Sequence, residues 1–183
     1  MAFQLKGARR IMNHVMLIGF MCSGKSTVGR ALAPLLGLSF IDLDRVIEAR
    51  VGPLLPFVQR EGEEAFRMVE ADVLREVLAA SPAVIASGGG TPTVASNLDL
   101  MMMAGTVVWL DVPMHALMPR IERAGGDRPL LFGLKGDPLR ARVQSLLDAR
   151  KSAYAKAHVR ILADASPTEV AARVALQVGN QLR

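Results

Sequence analysis

The sequence predicts an α/β protein, a three-layer α/β/α sandwich around a five-stranded, mostly parallel sheet. Three observations lead there. Five short apolar runs are spread over the 183 residues. Segments of helical periodicity separate them, which is the alternation of βαβ units. The first run leads through a glycine-rich loop straight into a helical pattern. The length suits one domain, and an apolar content of 51% supports a sizeable core and excludes a disordered chain.

Residues 14–18 (HVMLI) read as a buried strand. A helix over 25–36 follows, with Val28, Ala31, Leu32 and Leu35 on one face and Gly37 as its C-cap. Residues 39–41 form a second strand. Two helical stretches, 43–50 and 54–80, are expected to break near Gly52-Pro53 and again near Gly62. A third strand over 83–86, a helix over 94–104, a fourth strand over 106–110 and a helix from about 113 to 123 come next. Residues 125–136 are glycine-rich and read as mobile. Asp137-Pro138 supplies an N-cap and a first-turn proline for a helix ending near Tyr154. The last strand is 158–162, and Ser166-Pro167-Thr168-Glu169 is a capping box that starts a helix on Val170, Val174 and Val178. Trp109 and Met101–Met103 read as core packing, His115 and His158 as surface or structural residues.

The net charge of +5 allows nucleic acid, a membrane surface or a small anion as partner. Its distribution favours the last. Lys6, Arg9 and Arg10 lie in an acid-free opening segment, and without them the balance is +2. Residues 1–12 therefore read as a flexible basic tail and 13–183 as a single domain. No Lys/Arg run exceeds two residues, which argues against a nucleic-acid stripe. Arginines outnumber lysines 17 to 5, and arginine is suited to gripping planar oxyanions. The longest apolar stretches, 15–22 and 100–110, fall short of the roughly 20 residues a membrane span needs. A single cysteine excludes an internal disulfide, and three scattered histidines argue against a histidine metal cluster.

The loop after the first strand, Gly19-Phe-Met-Cys-Ser-Gly24-Lys25-Ser26-Thr27, matches G-x-x-x-x-G-K-[ST] in full. Glycines let successive N–H groups turn toward phosphates, and the following helix adds its dipole. Lys25 is expected to reach the β- and γ-phosphates of a nucleotide and Ser26 to ligate Mg²⁺. Cys22 and Ser23 belong to the same cradle; Cys22 reads as a small filler, with a redox-sensing role as the alternative. After the second strand, Asp42 and Asp44 share one side of an extended segment at spacing i, i+2. One carboxylate could hold Mg²⁺ through water and the other take a proton from an attacking hydroxyl; alternatively, one only N-caps the next helix. Gly88-Gly89-Gly90 after the third strand suggests backbone approach to a ligand.

These motifs, together with Ile47-Glu48, Gly62-Glu63, Phe66-Arg67, Glu70 and Arg128-Pro129-Leu130-Leu131, occur in an order that resembles shikimate kinase from residue 14 to about 180. The resemblance implies a P-loop kinase of the nucleoside-monophosphate-kinase-like fold, with strand order 2-3-1-4-5 and a lid near 124–138. It implies ATP-dependent phosphorylation of the shikimate 3-hydroxyl with Mg²⁺, giving shikimate 3-phosphate and ADP on the route to chorismate and the aromatic amino acids. A monomer in the cytoplasm, with no nucleic-acid or membrane partner, goes with it.

By position, the resemblance makes Asp44 the residue at the reacting hydroxyl and Asp42 the Mg²⁺-water partner. Arg67 and Arg150 become the carboxylate grip, and Gly88, Gly89 and Gly90 the substrate-binding glycines. Arg128 becomes the lid arginine and Arg123 a nucleotide contact. Arg67 could instead pair with Glu63, Glu64 or Glu70, Arg150 could answer its helix dipole, and Arg128 could be a solvated loop charge. Leu54-Leu55-Pro56 stands where a more polar helix start is expected. A gluconate kinase and a non-catalytic ligand-binding domain are the competing readings.

Overall fold

A computed structural model describes residues 13–124 and 129–181. The expected tail over 1–12 and the lid centre with Arg128 lie outside these residues.

The five strands are β1 (His14–Ile18), β2 (Ser39–Asp42), β3 (Ala83–Ala86), β4 (Gly105–Asp111) and β5 (Val159–Leu162). They form one sheet in the order β2-β3-β1-β4-β5, and every pairing is parallel. β1 is central and buried at all five residues, which is why its sequence is apolar without alternation. Edge strand β5 alternates buried and exposed residues. The flanking helices are α1 (Lys25–Leu36), α2 (Leu43–Val51), α3 (Leu54–Ala79), α4 (Ala95–Ala104), α5 (Met114–Ala124), α6 (Gly136–Tyr154) and α7 (Pro167–Gln181). Short 3-10 turns at Thr91–Thr93 and Pro129–Leu131 were not anticipated. No described helix is long and apolar enough to cross a membrane.

Most boundaries fall within a residue of expectation because the local signals are strong. Gly62 (φ +89, ψ +166) interrupts α3 as its sequence predicts, since only glycine takes that conformation without strain. The capping box at α7 forms in both directions. The Ser166 amide donates to Glu169 Oε2 at 3.0 Å, and the Glu169 amide donates to Ser166 Oγ at 3.3 Å. The Asp137 cap does not form. The helix starts at Gly136 (φ +56), two residues earlier than expected, with Lys135 at the N-cap position, and Asp137 falls inside the first turn.

The methionine run is split. Met101 is fully buried in the core, whereas Met103 is exposed. At the amino ends of the strands two histidines act as backbone partners. His14 Nδ1 accepts from the Ala83 amide at 3.2 Å, leaving Nε2–H to donate to the Leu78 carbonyl at 3.1 Å. His158 Nδ1 accepts from the Val107 amide at 3.0 Å.

Candidate active site

The site is assembled at the carboxyl ends of the strands, where an open α/β sheet leaves a crevice. From the end of β1, Gly19 (φ +141) brings the loop close against β4. A side chain there would meet the Leu110 carbonyl at 2.6 Å. Cys22 holds φ +60 and Gly24 φ +90, which curls the backbone into α1. The curl puts Cys22, Ser23, Gly24, Lys25, Ser26 and Thr27 on the wall of a cavity of about 540 Å³, which Gly19 itself does not line. Lys25 is buried, and its Nζ donates to the carbonyls of Gly19 and Phe20 at 2.9 and 2.8 Å. The Ser23 hydroxyl is buried without a hydrogen-bond partner among the described residues. Arg120, Arg123, Pro167 and Val170 complete the far side.

Asp42 and Asp44 both line this cavity, but not as one extended segment. β2 ends at Asp42 and α2 begins at Leu43, so Asp44 lies in the helix's first turn. Asp42 occupies the N-cap position yet makes no side-chain capping bond. The two carboxylates converge because the chain turns between them, not through strand alternation.

A second cavity of about 500 Å³ adjoins the first. Met21, Asp44 and Gly89 line both. Arg67, Arg150, Gly88, Gly89 and Gly90 form its polar wall, and Pro53, Leu54, Leu55 and Pro56 form an apolar one. The apolar residues at the start of α3 thus face the second cavity.

The triple glycine is explained by space rather than by positive φ. A Cβ on Gly88 would lie 2.9 Å from Asp44 Oδ1 and 3.1 Å from Glu70 Oε1. One on Gly89 would lie 3.3 Å from Arg150 Nη1, and one on Gly90 2.7 Å from Arg67 Nη2. Gly88 therefore makes room for two carboxylates and Gly89 and Gly90 for one guanidinium each, and the neighbouring glycines bring the two guanidinia to the same shelf.

Both arginines have internal partners as well. Arg67 donates to Glu70 at 2.8 Å and to Glu63 at 3.1 Å, so the expected helix ion pairs are real and coexist with its place in the cavity. Glu70 is buried and accepts from Thr91 Oγ1 at 2.6 Å. Arg150 is buried with its guanidinium 5.5 Å from the Phe20 ring centre.

Burial pushes the Asp44 carboxyl up to about 6; Lys25 opposes this, and Asp42, Glu70 and Glu48 add to it. A carboxylate tuned to that range, between two cavities, is suited to accept a proton near neutral pH.

Sequence reasoning misses Thr91, Tyr154 and Arg120 as site residues. Arg120 lines the first cavity and donates to the Ala163 carbonyl at 3.3 Å. Its spacing of three from Arg123 on one helix was the available signal. Tyr154 donates to the Gly89 carbonyl at 2.6 Å across 65 residues, a partnership with no local signature.

Comparison with known proteins bears on this geometry. The family model described as shikimate kinase matches residues 21–179. A shikimate kinase of Parabacteroides distasonis is 42% identical over 159 residues, covering 86% of this chain and 92% of that protein. One of Gloeobacter violaceus is 45% identical over 159 residues, covering 85% and 86%. The solved structure of shikimate kinase from Acinetobacter baumannii in complex with shikimate superposes with a TM-score of 0.86 at 34% identity, covering 95% of this chain and 97% of that one. Sheet order, phosphate loop and similarity along nearly the full length agree: the chain belongs to the shikimate kinase family.

Proposed function

We propose that the chain transfers the γ-phosphoryl group of ATP to the 3-hydroxyl of shikimate, giving shikimate 3-phosphate and ADP. The observation that carries this reading is the position of Asp44, on the shared wall of a phosphate-loop cavity and a cavity with two arginines. ATP occupies the first cavity, with its phosphates over the loop and the α1 N-terminus. Lys25 exchanges the Gly19 and Phe20 carbonyls for phosphate oxygens. Shikimate occupies the second, with its carboxylate between Arg67 and Arg150. Asp44 accepts the hydroxyl proton as the hydroxyl oxygen bonds to the γ-phosphorus and the bond to the β-phosphate oxygen breaks. Arg128 and Arg123 are assigned to the transferring phosphate and the nucleotide on motif position, and Arg123 also lines the first cavity.

The donor set suits Mg²⁺ brought in with ATP. Ser26 and Asp42 offer one hydroxyl and one carboxylate on the phosphate-loop cavity. Among the described residues no cluster of three or more His, Cys, Asp or Glu forms a cation cage. A cation that keeps several waters and binds substrate phosphates needs no more. When bound, it supplies charge neutralisation on those phosphates. The same reading has a cytoplasmic monomer without nucleic-acid or membrane partners.

Coupled ADP release with Mg²⁺-ATP over shikimate, quinate, gluconate and nucleoside monophosphates tests the reading. Shikimate is expected to accelerate release far above the rest. No acceleration by shikimate overturns the assignment, and a preference for gluconate moves it to the competing sugar-acid kinase.

A further inference from the structure

Tyr154 is the only tyrosine of the chain and is fully buried at the end of α6. Its hydroxyl donates to the Gly89 carbonyl at 2.6 Å. Burial pushes that hydroxyl up to about 12, and the neighbouring Arg150 guanidinium draws it back, so it stays a donor at physiological pH. Its ring lies 5.9 Å, centre to centre, from Trp109 in β4, which gives the side chain a rigid footing on the sheet.

Arg150 lies one helical turn before Tyr154, so the two side chains share a face of α6. Both converge on one residue. Tyr154 holds the Gly89 carbonyl, and Arg150 Nη1 lies 3.3 Å from where a Gly89 Cβ would be. Gly89 lines both cavities. In a trans peptide the carbonyl and the following N–H point to opposite sides. Fixing the Gly89 carbonyl therefore also fixes the direction of the Gly90 amide, on the residue that lies against Arg67. A hydroxyl in the core thus sets the plane of the shelf on which both guanidinia rest.

We propose that Tyr154 is a positioning residue for the acceptor: through the Gly89 carbonyl and Arg150 it presets the carboxylate-binding geometry, and it acts on the acceptor cavity more than on the nucleotide cavity that Gly89 also lines. This rests on the shikimate reading above. Tyr154→Phe removes the hydroxyl and keeps the ring. It leaves a buried carbonyl without its donor, so the Gly89 peptide loses its fixed plane and binding must pay to order the carboxylate grip.

The test is steady-state kinetics of the wild type and Tyr154→Phe with both substrates varied. The expected result is a KM for shikimate raised about 5- to 10-fold, with kcat and KM for ATP each within about 2-fold. An unchanged KM for shikimate, or an equal rise for both substrates, overturns the proposal. In an Arg150→Lys background the same substitution is expected to cost less, because the two act through one element. Additive effects overturn the coupling. Absence of shikimate turnover in the wild type defeats the functional reading instead, and so is told apart.

Should Tyr154→Phe not fold, labelling the wild-type chain with 3-fluorotyrosine alters this hydroxyl alone, since no other tyrosine exists. A ¹⁹F shift on adding shikimate but not ADP supports the proposal. No shift with shikimate, or an equal shift with both ligands, overturns it.

Discussion

The two cavities that meet at Asp44 are built by different means. The acceptor side is held by side chains: Glu70 and Glu63 fix Arg67, Thr91 fixes Glu70, and Tyr154 fixes Gly89. The nucleotide side is shaped by backbone. Its lysine bonds carbonyls of its own loop, Asp42 makes no capping bond, and the Ser23 hydroxyl is buried without a partner among the described residues. On the proposed reading the contrast follows from the ligands. Phosphate groups are recognised well by N–H groups and a helix dipole, which come with any suitably curled loop. A particular ring acid needs a carboxylate grip and one hydroxyl at a set distance, which only pre-oriented side chains provide.

That difference can be broken at its junction first. Asp44→Asn is expected to lower kcat by about 10²- to 10⁴-fold with ATP affinity retained, read by single-turnover kinetics and nucleotide titration. Wild-type turnover in this variant would remove Asp44 from the proton transfer.

The same substitution tests the electrostatics without any ligand. The folded carboxyl titrates near 6, above its ordinary 3.8, so between those values the folded state binds the proton more tightly than the unfolded state. The contribution is present in full below about 3.8 and is lost as pH rises through 6. In chemical denaturation without nucleotide or divalent cation, the wild type should lose stability relative to Asp44→Asn over that window. The loss is at most about 3 kcal/mol, with no further change above it. A gap independent of pH would show that the burial of Asp44 is not felt by its charge.

Next in size is Arg67→Ala, expected to raise KM for shikimate about 10- to 100-fold and KM for ATP little. Equal rises would contradict the division of labour between the cavities. Gly90→Ala should act on the same residue more weakly. The new methyl would stand 2.7 Å from Arg67 Nη2 and must displace it, so KM for shikimate should rise roughly 5-fold. A crystal structure showing Arg67 unmoved in that variant would refute the spatial explanation of the triple glycine.

What was legible in the sequence tracks locality. The phosphate loop, the Gly62 break and the Ser166–Glu169 box depend on residues within one turn of each other, and their conformations follow from composition. Asp42 and Asp44 do line one cavity wall, but for another reason than the sequence suggests, because strand periodicity carries to Asp44, two residues past the end of β2. The triple glycine announced a close approach but not of what, since Glu70, Arg67 and Arg150 reach it from two other helices. Tyr154 to Gly89 and Thr91 to Glu70 are bonds across 65 and 21 residues. Only the folded sheet brings such partners together.

The break at Gly62 has a consequence for how acceptor preference can change. It separates the segment carrying Leu54, Leu55 and Pro56 from the segment carrying Arg67 and Glu70, although both belong to α3 and face the same cavity. A helix continuous through residue 62 would transmit any change in the first segment's tilt to the second. With the helical path interrupted, the apolar wall can be resized while Arg67 and Glu70 keep their bearings. Substitutions at 54–56 are thus the natural starting point for redesigning this enzyme toward bulkier ring acids, and for selection exploring the same territory.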